Sequence, residues 1–273
     1  MGIMKLSEFR KSLKDKLKEF DIETTDADFI LSEVLKVKRT SLVLIDEIEE
    51  KDILKCNEAI EKRLKGMPID KIFGHSCFYG MEFHVNQNVL TPRPETEILV
   101  ELALDSIKEN DYKDVLDVCT GSGCIAVTIK KNADVNVTAV DISSKALDVA
   151  RMNAKTHETE IEFIKSDMFQ AVEKTFDLIV SNPPYIDSED IEDLDVEVKE
   201  YDPRLALDGG EFGLKFYHII HDNLRKFLRV GGMLIMEIGE NQKELIMSIF
   251  NDFNFVDCVK DYSGLDRILI FKR

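Results

Sequence analysis

The sequence has no CxxC pair, and its five cysteines are scattered at 56, 77, 119, 124 and 258. Such spacing excludes a disulfide framework and a structural zinc site, and it reads as a reduced intracellular protein with no bound metal. No apolar run approaches the length that spans a bilayer, and Met1 to Arg10 lacks the apolar stretch of a leader peptide. Gly2 would suggest myristoylation, but Leu6 stands where Ser or Thr is required. Positive charge is also scarce, since 36 Lys and Arg against 53 Asp and Glu leave a formal net charge of −17. Affinity for nucleic acid is driven by cationic side chains displacing counterions, so a broad nucleic-acid surface is excluded. Repeats and low-complexity tracts are absent. These absences lead to an expectation of a cytoplasmic protein, acting as a monomer, with neither membrane nor direct nucleic-acid partners.

What is present is ordinary globular material: 273 residues, 44% hydrophobic and 33% charged, enough for one large domain and one small one. Leu6, Phe9, Leu13, Leu17 and Phe20 fall at helical spacing, with Ser7 as the expected N-cap. A second helix is expected from Thr25, and a third over about 50 to 65 that stops at Gly66 and Pro68. The reading is a helical domain over residues 1–70. From Ile72 the period changes to two, which predicts a hairpin around Phe78 to Val85, followed by the stiff segment Thr91-Pro92-Arg93-Pro94-Glu95-Thr96-Glu97. Residues 71–94 are therefore assigned to a hairpin and rigid linker. That linker doubles as a wall of the site, with Arg93 as a substrate contact.

Over residues 95–273 apolar runs alternate with helical patterns: Val115 to Val118, Val135 to Val140, Ile161 to Ile164, Phe176 to Val180 and Met233 to Ile238. Strands separated by helices imply parallel pairing, a doubly wound α/β domain. The last two runs, Phe255 to Lys260 and Arg267 to Phe271, have no helix between them and are expected to pair antiparallel at an edge.

Two loops of this domain carry chemistry. After the first strand comes Asp117-Val118-Cys119-Thr120-Gly121-Ser122-Gly123, whose glycines let the backbone turn tightly at a helix N-terminus. Asp141 ends the next strand, where a carboxylate can accept from both hydroxyls of a ribose. Gly121, Gly123 and Ala126 fit the dinucleotide pattern, while Asp117, Gly121 and Gly123 fit the loop that cradles S-adenosylmethionine (SAM). The loop alone leaves both open. The second loop, Ser181-Asn182-Pro183-Pro184-Tyr185, follows the fourth strand directly. Its prolines lack N–H groups and stiffen the residue before each, which exposes carbonyl acceptors suited to a donor-rich group such as a primary amide. A Pro-Pro dipeptide by itself is loop punctuation. Beside a glycine loop and at a strand end, this one selects methyl transfer to an amine or amide over hydride transfer.

With that stretch placed, the chain closely resembles the PrmC/HemK family of protein-(glutamine) methyltransferases over almost its whole length. The carriers are FYGMEFHV (Phe78 to Val85), TPRPETE (Thr91 to Glu97), LDVCTGSG (Leu116 to Gly123), VDIS (Val140 to Ser143), FDLIVSNPPYI (Phe176 to Ile186), Gly209 to Leu214, and EIGENQ (Glu237 to Gln242). The resemblance implies a class I SAM-dependent methyltransferase fold, Rossmann-like and doubly wound with its last strand antiparallel, behind a small helical N-terminal domain. It implies methylation of the glutamine amide in the Gly-Gly-Gln motif of class I peptide chain release factors, with S-adenosyl-L-homocysteine as product. By that likeness Cys119 to Gly123, with Asp117, Thr120 and Ser122, hold the methionine part of SAM. Asp141 holds the ribose, and Asp167 and Met168 lie near the adenine. Asn182, Pro183, Pro184 and Tyr185 hold the glutamine, with Asn182, Pro183 and Tyr185 catalytic and Asn182 also beside the cofactor.

Three positions depart from the family pattern: Cys119 for glycine, Met168 for tryptophan, and Asp202 before Pro203 for glutamate. A non-glycine residue tolerates positive φ poorly, so an altered first turn and altered SAM affinity are expected. The acidic stretch Asp187 to Asp202 is a solvated loop by default, and a candidate for docking a basic protein surface. His75, His84, His157, His218 and His221 show no ligand spacing, and Cys119 and Cys124 read as packing residues. The alternatives are an adenine-specific DNA or RNA methyltransferase acting on the exocyclic amine, a non-catalytic SAM-binding interaction protein and, third, an NAD oxidoreductase.

Overall fold

The computed structural model describes residues 3–273; Gly2 lies outside the described residues. The chain forms two compact units, one of the residues up to Gly74 with Val196–Tyr201, the other of His75–Asp195 with Asp202–Arg273.

In the first unit, β1 (Ile3–Lys5) runs straight into α1 (Leu6–Glu19), followed by α2 (Asp26–Leu35), β2 (Glu47–Glu49), α3 (Glu50–Arg63) and α4 (Ile69–Phe73). Leu6, Phe9, Leu13 and Leu17 are buried against Ile30, Leu31 and Ile60, as their spacing predicts. Ser7 is not the N-cap of α1. The cap is Lys5, because β1 pairs antiparallel with β2 and delivers Leu6 N–H to the Asp46 carbonyl at 2.9 Å. Phe20 lies beyond the helix and is exposed, and the small β1–β2 ribbon joins what the sequence pattern read as purely helical. Arg63 is buried between Asp26 and Glu197, each 2.6 Å away.

The hairpin of the second unit starts at β3 (His75–Phe78), later than Ile72, because α4 fills the gap and ends on left-handed Gly74. It turns at Tyr79 and Gly80, both with positive φ, into β4 (Met81–His84). Then come α5 (Pro94–Asn110), β5 (Asp114–Val118), α6 (Cys124–Asn132), β6 (Asn136–Asp141), α7 (Ser144–Thr156), β7 (Glu162–Lys165) and β8 (Phe176–Ser181). A helix over Lys215–Phe227, β9 (Leu228–Glu237), a helix over Lys243–Ile249, β10 (Asn254–Lys260) and β11 (Asp266–Lys272) complete it.

The seven strands lie in the order β10-β11-β9-β8-β5-β6-β7. From β9 to β7 all pairs are parallel, and β11 is antiparallel to both neighbours. Both faces are covered, so the central strands are apolar throughout instead of alternating. Val115, Leu178, Val180 and Ile235 pack on one side with residues of α5 and α6. Leu116, Val118, Ile179 and Leu234 pack on the other, with Tyr217, Ile220 and Leu224. Parallel register brings Val118 beside both Val140 and Ser181, and Ser181 beside Met236. The glycine loop, Asp141, Asn182 and Glu237 therefore emerge at the same end of the sheet, where ligands of open α/β sheets bind.

Candidate active site

A cavity of about 280 Å³ opens at these strand ends. Its walls include Arg93, Cys119, Thr120, Gly121, Ser122, Asp141, Asp167, Met168, Asn182 and Pro184 from the sequence reading. Asp117 lies fully buried beneath the loop, and Gly123, Pro183 and Tyr185 stand behind the walls. Thr96, Lys215 and Phe216 also line it and were not anticipated.

At the glycine-loop end the geometry is set by backbone. Cys119 takes a left-handed φ of +64, so the cysteine itself makes the turn expected of glycine, and Gly121 and Gly123 follow at +54 and +79. Cys119 Sγ rests 3.6 Å from Met168 Sδ, and burial holds its thiol well above the ordinary range. Asp141 ties this loop to the next, accepting from Gly121 N–H at 2.9 Å and from Ser143 N–H at 2.8 Å. The Asp141 carboxylate lines the cavity and retains acceptor capacity beyond these two bonds. Asp117 accepts from the Thr120 hydroxyl at 2.6 Å through Oδ2, whereas Oδ1 is buried without a partner. Burial pushes its pKa up to about 7, and the neighbouring Asp141 charge adds to the rise. Burial raises Asp141 as well, against the pull of its backbone donors. This end of the site is thus a nest of desolvated acids, suited to a cation.

The Asn182 end is oriented by side chains. The Ser181 hydroxyl donates to Val118 carbonyl at 2.8 Å, which pins the loop to the strand that carries the glycines. Asn182 Nδ2 donates to Thr96 Oγ1 at 3.2 Å, and Thr96 in turn donates to Glu237 Oε2 at 2.7 Å. The Tyr185 hydroxyl donates to Glu237 Oε1 at 3.3 Å, and its half-buried ring packs against the core. Glu237 is buried, which raises its carboxyl to about 7 despite these donors and nearby Arg267. Gln242 is fully used: its oxygen accepts from Gly239 N–H at 2.9 Å while Nε2 donates to the carbonyls of Tyr185 and Phe212 at 2.9 and 3.0 Å. Gly209 belongs to the same clamp, because its N–H donates to Ile186 carbonyl at 2.8 Å while Ile186 N–H donates to Leu207 carbonyl.

The linker wall is fixed by Asp202, which accepts from Thr91 N–H at 3.3 Å and from Arg93 at 3.0 Å. Asp202 thus pairs with Arg93, and within the same 187–202 stretch Glu192 pairs with Arg204 and Glu197 with Arg63. Among the described residues no His, Cys, Asp and Glu cluster could hold a metal ion, and no helix is long and apolar enough to cross a membrane.

Residues 6–74 match the family model of the PrmC N-terminal domain, and residues 94–199 that of the methyltransferase small domain. A release factor glutamine methyltransferase of Thermodesulfovibrio yellowstonii is 39% identical over 271 residues, covering 95% of this chain and 97% of its own. One of Clostridium acetobutylicum is 40% identical, covering 96% and 94%. Among solved structures, a methyltransferase from Pyrococcus furiosus superposes with a TM-score of 0.54 at 19% identity, over 71% of this chain and 90% of the other.

Proposed function

The chain belongs to the family of release factor glutamine methyltransferases and is a SAM-dependent protein-glutamine methyltransferase of the class I fold; on that premise we propose how its cavity holds donor and acceptor. Relatives matching along nearly the whole chain carry that name, so neither adenine methylation nor a non-catalytic role is favoured.

The residues present fit SAM. It brings an ammonium group, a ribose diol and a sulfonium; the loop end has the Asp141 carboxylate at the cavity wall and, buried beneath the loop, the Asp117 carboxylate with Oδ1 unpaired. A dinucleotide would set its pyrophosphate at the glycine loop, over the buried Asp117 carboxylate, which disfavours NAD. On this reading Cys119 to Gly123 with Asp117 hold the methionine part, Asp141 the ribose, and Asp167 and Met168 the adenine. When bound, SAM supplies an electrophilic methyl group.

The chain's own contribution lies at Asn182. A glutamine amide nitrogen is a weak nucleophile because its lone pair is shared with the carbonyl. Acceptors on its N–H groups favour the pyramidal form and stabilise charge developing there. Asn182 Oδ1 is such an acceptor at the cavity wall, with Pro184 and Arg93 bounding the space; the Pro183 carbonyl, the second acceptor on this reading, belongs to a residue behind that wall. The carrying observation is that Thr96 occupies the amide nitrogen of Asn182, which leaves its oxygen as the group offered to substrate. A translation factor as substrate supports a cytoplasmic location, and we propose that the enzyme acts as a monomer. Its charge of −17 opposes direct contact with nucleic acid, and the acids of residues 187–202 favour docking of a basic protein surface.

The test is incubation with labelled SAM and a purified class I release factor, followed by mass spectrometry of its Gly-Gly-Gln peptide. One methyl group on that glutamine is expected, and none on a factor whose glutamine is changed to asparagine. Absence of methyl from the native factor overturns the reading.

A further inference from the structure

Asn182 can serve as an acceptor only if its amide faces one way, and nothing in its own loop dictates which. We infer that Glu237, acting through the Thr96 hydroxyl, is a positioning residue that fixes the polarity of Asn182, a role that rests on the reading of Asn182 as the glutamine-holding residue. An ionised carboxylate accepts and cannot donate. Thr96 has one proton and spends it on Glu237 Oε2 at 2.7 Å, and Tyr185 spends its proton on Oε1. The Thr96 oxygen is then left with lone pairs alone, so it can only accept. It does so from Asn182 Nδ2 at 3.2 Å. Oδ1 is thereby turned to the cavity, which Asn182 and Thr96 both line.

Protonation of Glu237 reverses this sequence of donors. The carboxylic acid can donate to Thr96, Thr96 can then donate to Asn182, and Asn182 satisfies it by presenting its oxygen inward and its NH₂ to the substrate. Two donors then face the N–H groups of the glutamine, and the acceptor is lost. The groups around Glu237 set where this happens. Arg267 on β11 favours the carboxylate, as do the hydroxyls of Thr96 on α5 and Tyr185 after β8. Burial and Glu95 on α5 oppose it. Tyr217, from the helix over Lys215–Phe227, donates to the Glu237 backbone carbonyl, and the buried Cys124 thiol of α6 lies close enough to sense its charge. The balance lifts the Glu237 carboxyl to about 7, so the switch falls inside the working pH range.

The experiment measures methyl transfer to a release factor at saturating SAM between pH 6 and 8, for wild type, Thr96→Val, Thr96→Ser and Asn182→Ala, with SAM affinity by calorimetry at each pH. Thr96→Val removes the hydroxyl at constant shape. With no hydroxyl at residue 96 neither end of the Asn182 amide finds a partner there, so its orientation is no longer fixed. Expected is a fall of about tenfold in kcat/KM, with SAM affinity within about threefold, and recovery of most of the loss in Thr96→Ser. Wild type should lose activity as pH falls below about 7, and Thr96→Val should show a flatter profile. Asp117 and Asp141 remain in both proteins, so the difference between the profiles isolates Glu237.

Equal activity and equal pH profiles for wild type and Thr96→Val overturn the inference, as does loss of SAM binding in step with turnover. If Thr96→Val does not fold, the wild-type profile still decides, because activity that holds level from pH 8 to 6 excludes the switch. Wild-type activity that survives Asn182→Ala overturns the functional reading of Asn182, and the relay with it. Activity lost in Asn182→Ala but unaffected by Thr96→Val overturns the relay alone.

Discussion

The two ends of the cavity are made of different material. At the glycine loop the walls are main chain, bent through left-handed φ at Cys119, Gly121 and Gly123, and the side chain that organises them, Asp141, does so by accepting from backbone N–H groups. At Asn182 the main chain is stiffened by prolines, and orientation falls to Thr96, which lies 86 positions away, and to Gln242, which lies 57 positions from Tyr185. A wall of backbone is sensitive to dihedral angle and close approach, while a wall of oriented side chains is sensitive to the donor and acceptor pattern. Variants at the first end should therefore lose fold or cofactor, and variants at the second should lose chemistry.

Asn182→Ala gives the sharpest form of that contrast. Removing one acceptor matched to developing charge should lower turnover about a hundredfold or more, by the scale of other transition-state hydrogen bonds. SAM affinity should stay within about threefold, read by calorimetry beside single-turnover transfer, since other walls hold the cofactor. If affinity collapses together with turnover, the two ends are one unit and the contrast fails.

Gly123→Ala probes the backbone wall at its tightest point. A Cβ there would sit 2.9 Å from Ala150 Cβ and 3.2 Å from Ala150 Cα on α7, at a φ of +79. Left-handed strain and the forced shift of a packed helix together should cost about 2–4 kcal/mol of unfolding free energy, measured by chemical denaturation. An unchanged midpoint would mean that α7 yields and that the loop is not gripped.

Asp141→Asn comes next. A carboxylate accepts from Gly121 and Ser143 with separate oxygens, and an amide can serve only one of them, turning a donor toward the other. SAM should bind about tenfold more weakly or worse, while turnover at saturating SAM changes less than about threefold. A loss of turnover at saturation would carry the influence of Asp141 across to the acceptor end.

The same contrast explains what could be read from the chain. The alternation of strands and helices, the antiparallel edge and the glycine loop are local patterns, and the structure has them. Asp141 was found because it ends an apolar strand. Glu237 ends one too, after Met233-Leu234-Ile235-Met236, and the same rule would have singled it out as a buried strand-end carboxylate. What the rule could not supply is the partner, since Thr96 reaches Glu237 across 141 positions and only the fold joins them. Ser7 and Phe20 misled for a similar reason, because α1 begins on a strand whose pairing with β2 lies far along the chain.

Gly121→Ala is the smallest of these tests and the one that divides the backbone wall most finely. Gly121 shares the left-handed φ of Gly123, at +54, but nothing lies within 4 Å of where its Cβ would stand. Only strain remains, so about 1 kcal/mol of stability should be lost by chemical denaturation. Cys119 already carries a side chain at φ +64 in the same loop, so strain of this kind is one the fold sustains. Subtracting the loss at Gly121 from that at Gly123 leaves the contribution of close packing against α7. If the two losses are equal, dihedral strain alone makes the loop depend on glycine, and the short distance to Ala150 contributes nothing. If Gly121→Ala costs little stability but SAM titration of the folded variant registers weakened binding, the open space beside it is needed by the cofactor and not by the fold.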